Sequence, residues 1–121
     1  MAKKVRTPAE ITAQLADLIE DGRKKVRKEF RYMYLVKYGR SSYCGCPLGM
    51  AYASFCGSAK TALRNLGKSC SMESENVLIQ EQLGISIQLS DAVEKAHLDG
   101  SDVVTIIEQL RRGDFNKFVK K

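Results

Sequence analysis

The chain has 121 residues, 44% of them apolar and 28% charged, enough to build one hydrophobic core without disulfide or metal staples. Its apolar runs, around Leu48 to Phe55 and Val103 to Ile107, fall short of the roughly 20 residues a membrane span needs, and it opens on no charged-then-apolar leader, so a cytoplasmic protein outside the membrane is expected. The net charge of +6 is segregated: residues 1–40 carry 11 Lys/Arg against 5 Asp/Glu, 41–70 carry 3 against 0, 71–110 carry 1 against 8, and 111–121 carry 5 against 1. Such a division allows a one-sided attraction to polyanions, or an attraction between the two halves within the fold.

Residues 1–6 form a short basic tail. Thr7-Pro8-Ala9-Glu10 then starts a helix with three agreeing signals: Thr7 as N-cap, Pro8 at the first helical position, and Glu10 placed to close a capping box. Ile11, Leu15, Leu18 and Ile19 follow at helical spacing, and Gly22 is the expected stop. Residues 22–42 read two ways. With period two, Phe30, Tyr32, Tyr34, Val36 and Tyr38 line one side of a strand that Gly39 to Ser42 turns back; with period 3.6, Val26, Phe30, Met33 and Tyr34 make a helix face. Aromatic and β-branched enrichment favours a strand, closing as a small hairpin near Tyr43.

Pro47 can begin a helix whose Leu48, Ala51, Tyr52 and Phe55 share one face, while Gly49, Ala51, Ala53 and Ser54 are small enough for another backbone to come close. Gly57 stops it and Ser58 caps the next, with Ala59, Ala62, Leu63 and Leu66 inward up to Gly67. After a polar loop, a helix runs from about Glu75 to Leu83 and ends at Gly84. Ser90 and Asp91 open or sit within another, with Leu89, Ala92, Val93 and Ala96 inward, broken at Asp99-Gly100. Ser101 caps a last amphipathic helix with Val103, Ile106, Ile107 and Leu110 inward, Asp102 in its first turn, Arg111 and Arg112 in its last, and Gly113 after it. Residues 114–121 form a basic tail that Phe115 and Phe118 within it are placed to anchor. The expected fold is therefore mainly α: one domain over residues 1–121, a compact bundle of about six short helices with a small β-hairpin between the first helix and the Pro47 helix.

No catalytic signature stands out. No phosphate-cradling loop, Walker lysine or HExxH is present, and His97 near Asp99 lacks a nucleophile or a stabiliser of developing charge. Cys44, Cys46, Cys56 and Cys70, with His97, could in number supply zinc, but CxC cramps a chelate that knuckles and ribbons build from CxxC. Cys46 at a helix start is where amides lower a thiol pKa and make it reactive, the other thiol reading. Buried free cysteine is the leading reading for all four, and no cofactor is implied.

The informative stretch is GRKKVRKEFRYMYLVKYGR, residues 22–40, with eight Lys/Arg against one glutamate and tyrosines interleaved. Cations neutralise phosphates and aromatic faces stack on unpaired bases, the physical recipe for single-strand binding. The candidate binding residues are Arg23, Lys24, Lys25, Arg27, Lys28, Arg31, Tyr32 and Tyr34, the tyrosines only if they remain exposed. The expected function is a non-enzymatic accessory protein binding nucleic acid or another polyanion. The rival is an inhibitor or adaptor, such as a mobile element encodes, that turns the same charges on an acidic protein surface. The sequence sets no oligomeric state.

The order LADLIEDG, then CPLGMAYA, then LGISIQLSDAVEKAHLDGSDVVTIIEQL resembles small bacterial proteins of uncharacterised function. These carry a helix ending in Glu-x-Gly, a Cys-x-Leu-Gly-Ala-x-x-x-Ala segment, and two late helices joined by a polar break. The resemblance spans most of the chain. It implies a structural segment at Cys46, Leu48, Gly49 and Ala53, with Met50 where alanine is usual, and brings no catalytic residue.

Overall fold

A computed structural model describes residues 7–30, 34–40, 42–68 and 72–119. Thr7 and Glu10 close the expected capping box: the Glu10 amide donates to the Thr7 hydroxyl at 3.1 Å, and the Thr7 amide donates to the Glu10 carboxylate at 2.9 Å. The helix they start, α1 (Pro8–Lys25), runs past Gly22, which is a packing contact and not a stop. A Cβ at Gly22 would be driven into the Met50 carbonyl, so glycine is what lets α1 lie against the helix below it. The helix ends at Val26, fully buried in extended conformation.

Three short strands follow: β1 (Lys28–Glu29), β2 (Leu35–Tyr38) and β3 (Ser42–Gly45). β2 and β3 form the expected hairpin, Leu35 opposite Gly45 and Tyr38 opposite Ser42. Beyond that expectation, β1 pairs parallel with the other side of β3, Lys28 opposite Cys44, giving the order β1-β3-β2.

From Pro47 the chain enters α2 (Pro47–Cys56), whose residues Pro47 to Ala53 are all buried. The one-faced reading of this helix is corrected here: it is the central element, packed by α1, by β3, and by α3 (Ala59–Leu66), α4 (Met72–Leu83) and α5 (Ile87–Leu98). It therefore has no polar face in its first two turns, and Phe55 near its end is 50% exposed and stacks on Tyr52. Its small residues serve as expected. A Cβ at Gly49, and one at Gly45, would collide with the Tyr34 carbonyl oxygen, so the chain entering β2 lies directly on the start of α2.

α4 begins at Met72, three residues before the expected start, and α5 is capped by Ser86, whose hydroxyl accepts the Leu89 amide at 3.1 Å. α6 (Val103–Arg112) is capped by Asp102, not Ser101, because its carboxylate reaches the Thr105 amide at 2.8 Å. Gly57 and Gly113 end α2 and α6 in the left-handed conformation. Past α6 the expected tail is folded through residue 119: Phe115 is buried, Asn116 bonds Thr12 at 2.9 Å, and the Phe118 carbonyl accepts from Ser86 at 2.9 Å.

The product is a compact, mainly helical bundle with a small sheet, its core drawn from all six helices. Arg111 spans Asp17 and Glu20 of α1 at 2.8 and 2.6 Å, an exposed clamp of modest energetic weight. Among the described residues no helix is long and apolar enough to cross a membrane.

Candidate functional site

The basic stretch divides where α1 ends. Arg23, Lys24 and Lys25 occupy the last helical turn, where cations suit the negative end of the helix dipole. Burial of Val26 then swings the chain so that Arg27 follows on the surface. Facing this corner is the hairpin end, with Tyr38 43% exposed and Tyr43 half-buried, and beyond it the turn from α2 into α3. There Gly57 takes φ 92° and Ser58 caps α3, its hydroxyl accepting the Thr61 amide at 3.1 Å.

These three pieces enclose a cleft of about 530 Å³ lined by Lys24, Lys25, Arg27, Lys60, Tyr38, Tyr43, Ser42, Gly57, Ser58 and Ala59. Among the described residues four cations and no carboxylate line it, and the positive dipole end of α3 adds to them. Lys25 has a counter-charge in Asp21, whose carboxylate takes the Ser54 hydroxyl at 2.6 Å and lies 3.7 Å from Lys25 Nζ. The Ser54 hydrogen bond holds the Asp21 carboxyl below its ordinary value; desolvation opposes it, and the Lys25 and Lys24 charges add smaller pulls downward. Lys28 stands beside the cleft, its Nζ 5.8 Å from the centre of the Tyr38 ring, which holds one face of that ring against a cation.

Of the sequence-predicted residues, Lys24, Lys25 and Arg27 converge and Lys28 adjoins them. Arg23 turns away toward the start of α6, where its charge helps depress Asp102 after the two Thr105 hydrogen bonds. Arg31 and Tyr32 lie outside the described residues. Tyr34 is corrected outright: it is 4% exposed and cannot stack on a base. Lys60 and Tyr43 are additions from the fold. Lys60 sits 33 positions beyond Arg27 with no local signal linking them, whereas Tyr43 and Tyr38 could have been proposed from the aromatic hairpin itself.

Tyr34 serves a different centre. Its hydroxyl lies 2.7 Å from Asn76 Oδ1 and 2.9 Å from Glu94 Oε1, and Gln80 Nε2 donates to the same Asn76 oxygen at 3.1 Å. A hydroxyl has one proton and here two acceptors. A proton on Glu94 satisfies both contacts, Glu94 donating to Tyr34 and Tyr34 to Asn76, and burial pushes the Glu94 carboxyl up in that direction. Reversing the Asn76 and Gln80 amides together would instead suit an ionised Glu94, so the carboxyl's charge and the amide orientations are one linked choice.

The described thiols form no common site. Cys46 is buried, and desolvation pushes it up to about 12 despite the Gly49 and Leu48 amides, which corrects the reading of a reactive thiol at this helix start. Cys44 is buried, Cys56 accepts from Asn65 Nδ2 at 3.6 Å, and Cys70 lies outside the described residues. Among the described residues no group of three His, Cys, Asp or Glu side chains is placed to hold a metal ion. His97 does not work with Asp99: it is 1% exposed and its Nε2 lies 2.9 Å from Glu29 Oε1, tying α5 to β1.

No protein-family model matches the chain, and no curated protein and no solved structure matches it either.

Proposed function

We propose that this protein binds nucleic acid as a non-enzymatic accessory factor, taking an unpaired segment into the basic cleft. The observation that carries the reading is the gathering of Lys24, Lys25, Arg27 and Lys60 around one concave surface, with exposed Tyr38 and half-buried Tyr43 in its lining. A phosphate backbone threading the cleft meets cations on both walls, while Tyr38 and Tyr43 offer ring faces to bases splayed from it. A concave cleft of this volume accepts one strand or a strand end, whereas an intact duplex would touch only its rim. Three of the four lining cations are lysines, so the attraction is to charge and not to a particular base sequence.

Anisotropy of labelled single-stranded and duplex DNA and RNA across a salt series tests this, beside a Lys24→Glu/Arg27→Glu/Lys60→Glu variant. Single strands bind more tightly than duplex, affinity falls with a log–log salt slope of about −2 to −3, as three or four neutralised phosphates require, and the variant loses binding. Absence of binding at low salt, or a variant that binds like the parent, overturns the reading and directs the search to an acidic protein partner by pull-down with the same variant as control.

A further inference from the structure

The outward face of α5 is the second surface that asks for a partner. Its inner side is Leu89, Ser90, Val93 and His97, all buried. On the opposite side, Ile87, Asp91, Lys95 and Leu98 fall at i, i+4, i+8 and i+11, one stripe down the helix. Ile87 is 60% exposed and Leu98 51%, the two largest exposures among the large apolar side chains described. Asp91 and Lys95 between them are exposed and have no ion-pair partner among the described residues. Alongside runs a groove of about 550 Å³ toward Phe115 and Phe118, floored by Ala92 and Ala96, which are small enough for a second helix to approach closely.

Read along the helix, the stripe is apolar, acidic, basic, apolar. We propose that two copies of this chain pair here about a two-fold axis with their α5 helices antiparallel. In that arrangement Ile87 of each copy meets Leu98 of the other and Asp91 meets Lys95, each contact made twice, as a self-complementary interface requires. A parallel pairing would instead set Asp91 against Asp91 and Lys95 against Lys95, which is repulsive. A foreign helix would need to reproduce this charge order; a second copy already carries it. One helix pair covers less than the roughly 1,200 Å² of a standard stable interface, so the dimer is weak and depends on concentration.

The test is sedimentation velocity of the full chain from micromolar to millimolar concentration, for the parent, Asp91→Lys, Lys95→Asp, the double swap, and an equimolar mixture of the two single variants. The parent dimerises. Each single variant weakens dimerisation by about tenfold or more, since two attractive pairs become repulsive. The double swap, and the mixture of single variants, restore it, which misfolded chains could not do. The cleft variant Lys24→Glu/Arg27→Glu/Lys60→Glu dimerises like the parent, which separates this surface from the proposed binding site. A parent that stays monomeric throughout, or a dimer indifferent to both single reversals, overturns the proposal.

Discussion

At the end built by the close of α1, the hairpin and the start of α3, charge is left outside: four cations stand around a cleft with one salt-bridged aspartate near them. On the flank built by α4 and α5, polar groups are drawn inward, with Tyr34, Asn76, Gln80, Ser90 and Glu94 within reach of one another and the carboxyl pushed toward its neutral form. The first arrangement leaves electrostatic free energy available to a ligand; the second spends polar groups on fixing one packing. Charge that is to bind something must stay solvated, and charge that is to specify a fold must find its partners inside.

The largest effect on this division is expected at the seam between the two regions. Gly49→Ala places a methyl group against the Tyr34 carbonyl where no flexible side chain can give way, and should cost about 3 kcal/mol of stability in urea denaturation. A nearly neutral result would mean that residue 34 need not lie on α2, and the contrast between the regions would lose its structural basis.

That seam also separates what could be read in the sequence from what could not. The capping box at Thr7, the Pro47 start and the glycine stops at 57 and 113 are local chemistry, legible within four residues. Gly22 has the same composition cue as those stops, but its role is contact with a helix some 28 positions away, and nothing local distinguishes the two uses. The alternation of tyrosines showed a strand without showing where it begins; Tyr34 precedes β2 and is buried, whereas Tyr38 closes the strand and stays half outside. β1 has two residues and exists because β3 offers it an edge. Within the candidate cleft, the cations of α1 were legible as a charge run, and Lys60 joined them only because α2 folds α3 back alongside.

Next in size is an effect on binding alone. Tyr38→Ala removes one exposed ring face from the cleft and should weaken single-strand affinity by about 1–3 kcal/mol per stacked base, with thermal stability little changed because the ring is 43% exposed. Equal affinity in the two proteins would leave the cleft a purely electrostatic site.

The smallest effect sharpens the comparison from the buried side. The Glu94 pKa is raised in the fold, so its stabilising contribution is complete below the ordinary carboxyl value of 4.5 and is lost as pH climbs through the higher folded value. Glu94→Gln keeps a donor toward Tyr34 at every pH. Chemical denaturation should therefore find the two proteins equally stable in acid, with the variant ahead toward neutral pH. A gap that does not change with pH would place the ionisation of Glu94 outside the energetics of the fold.

Tyr34 fastens the chain at two levels: its main-chain carbonyl lies against Gly45 and Gly49, and its hydroxyl reaches α4 and α5. Lifting the hairpin would uncover the first turn of α2 and strip Glu94 and Asn76 of their shared partner in the same event. In hydrogen exchange, the amides of β3 and α5 would then open together as one cooperative unit, although about 45 residues of chain separate them. The cleft wall that carries Tyr38 and Tyr43 would inherit its rigidity from an acidic helix that contributes no lining residue to the cleft.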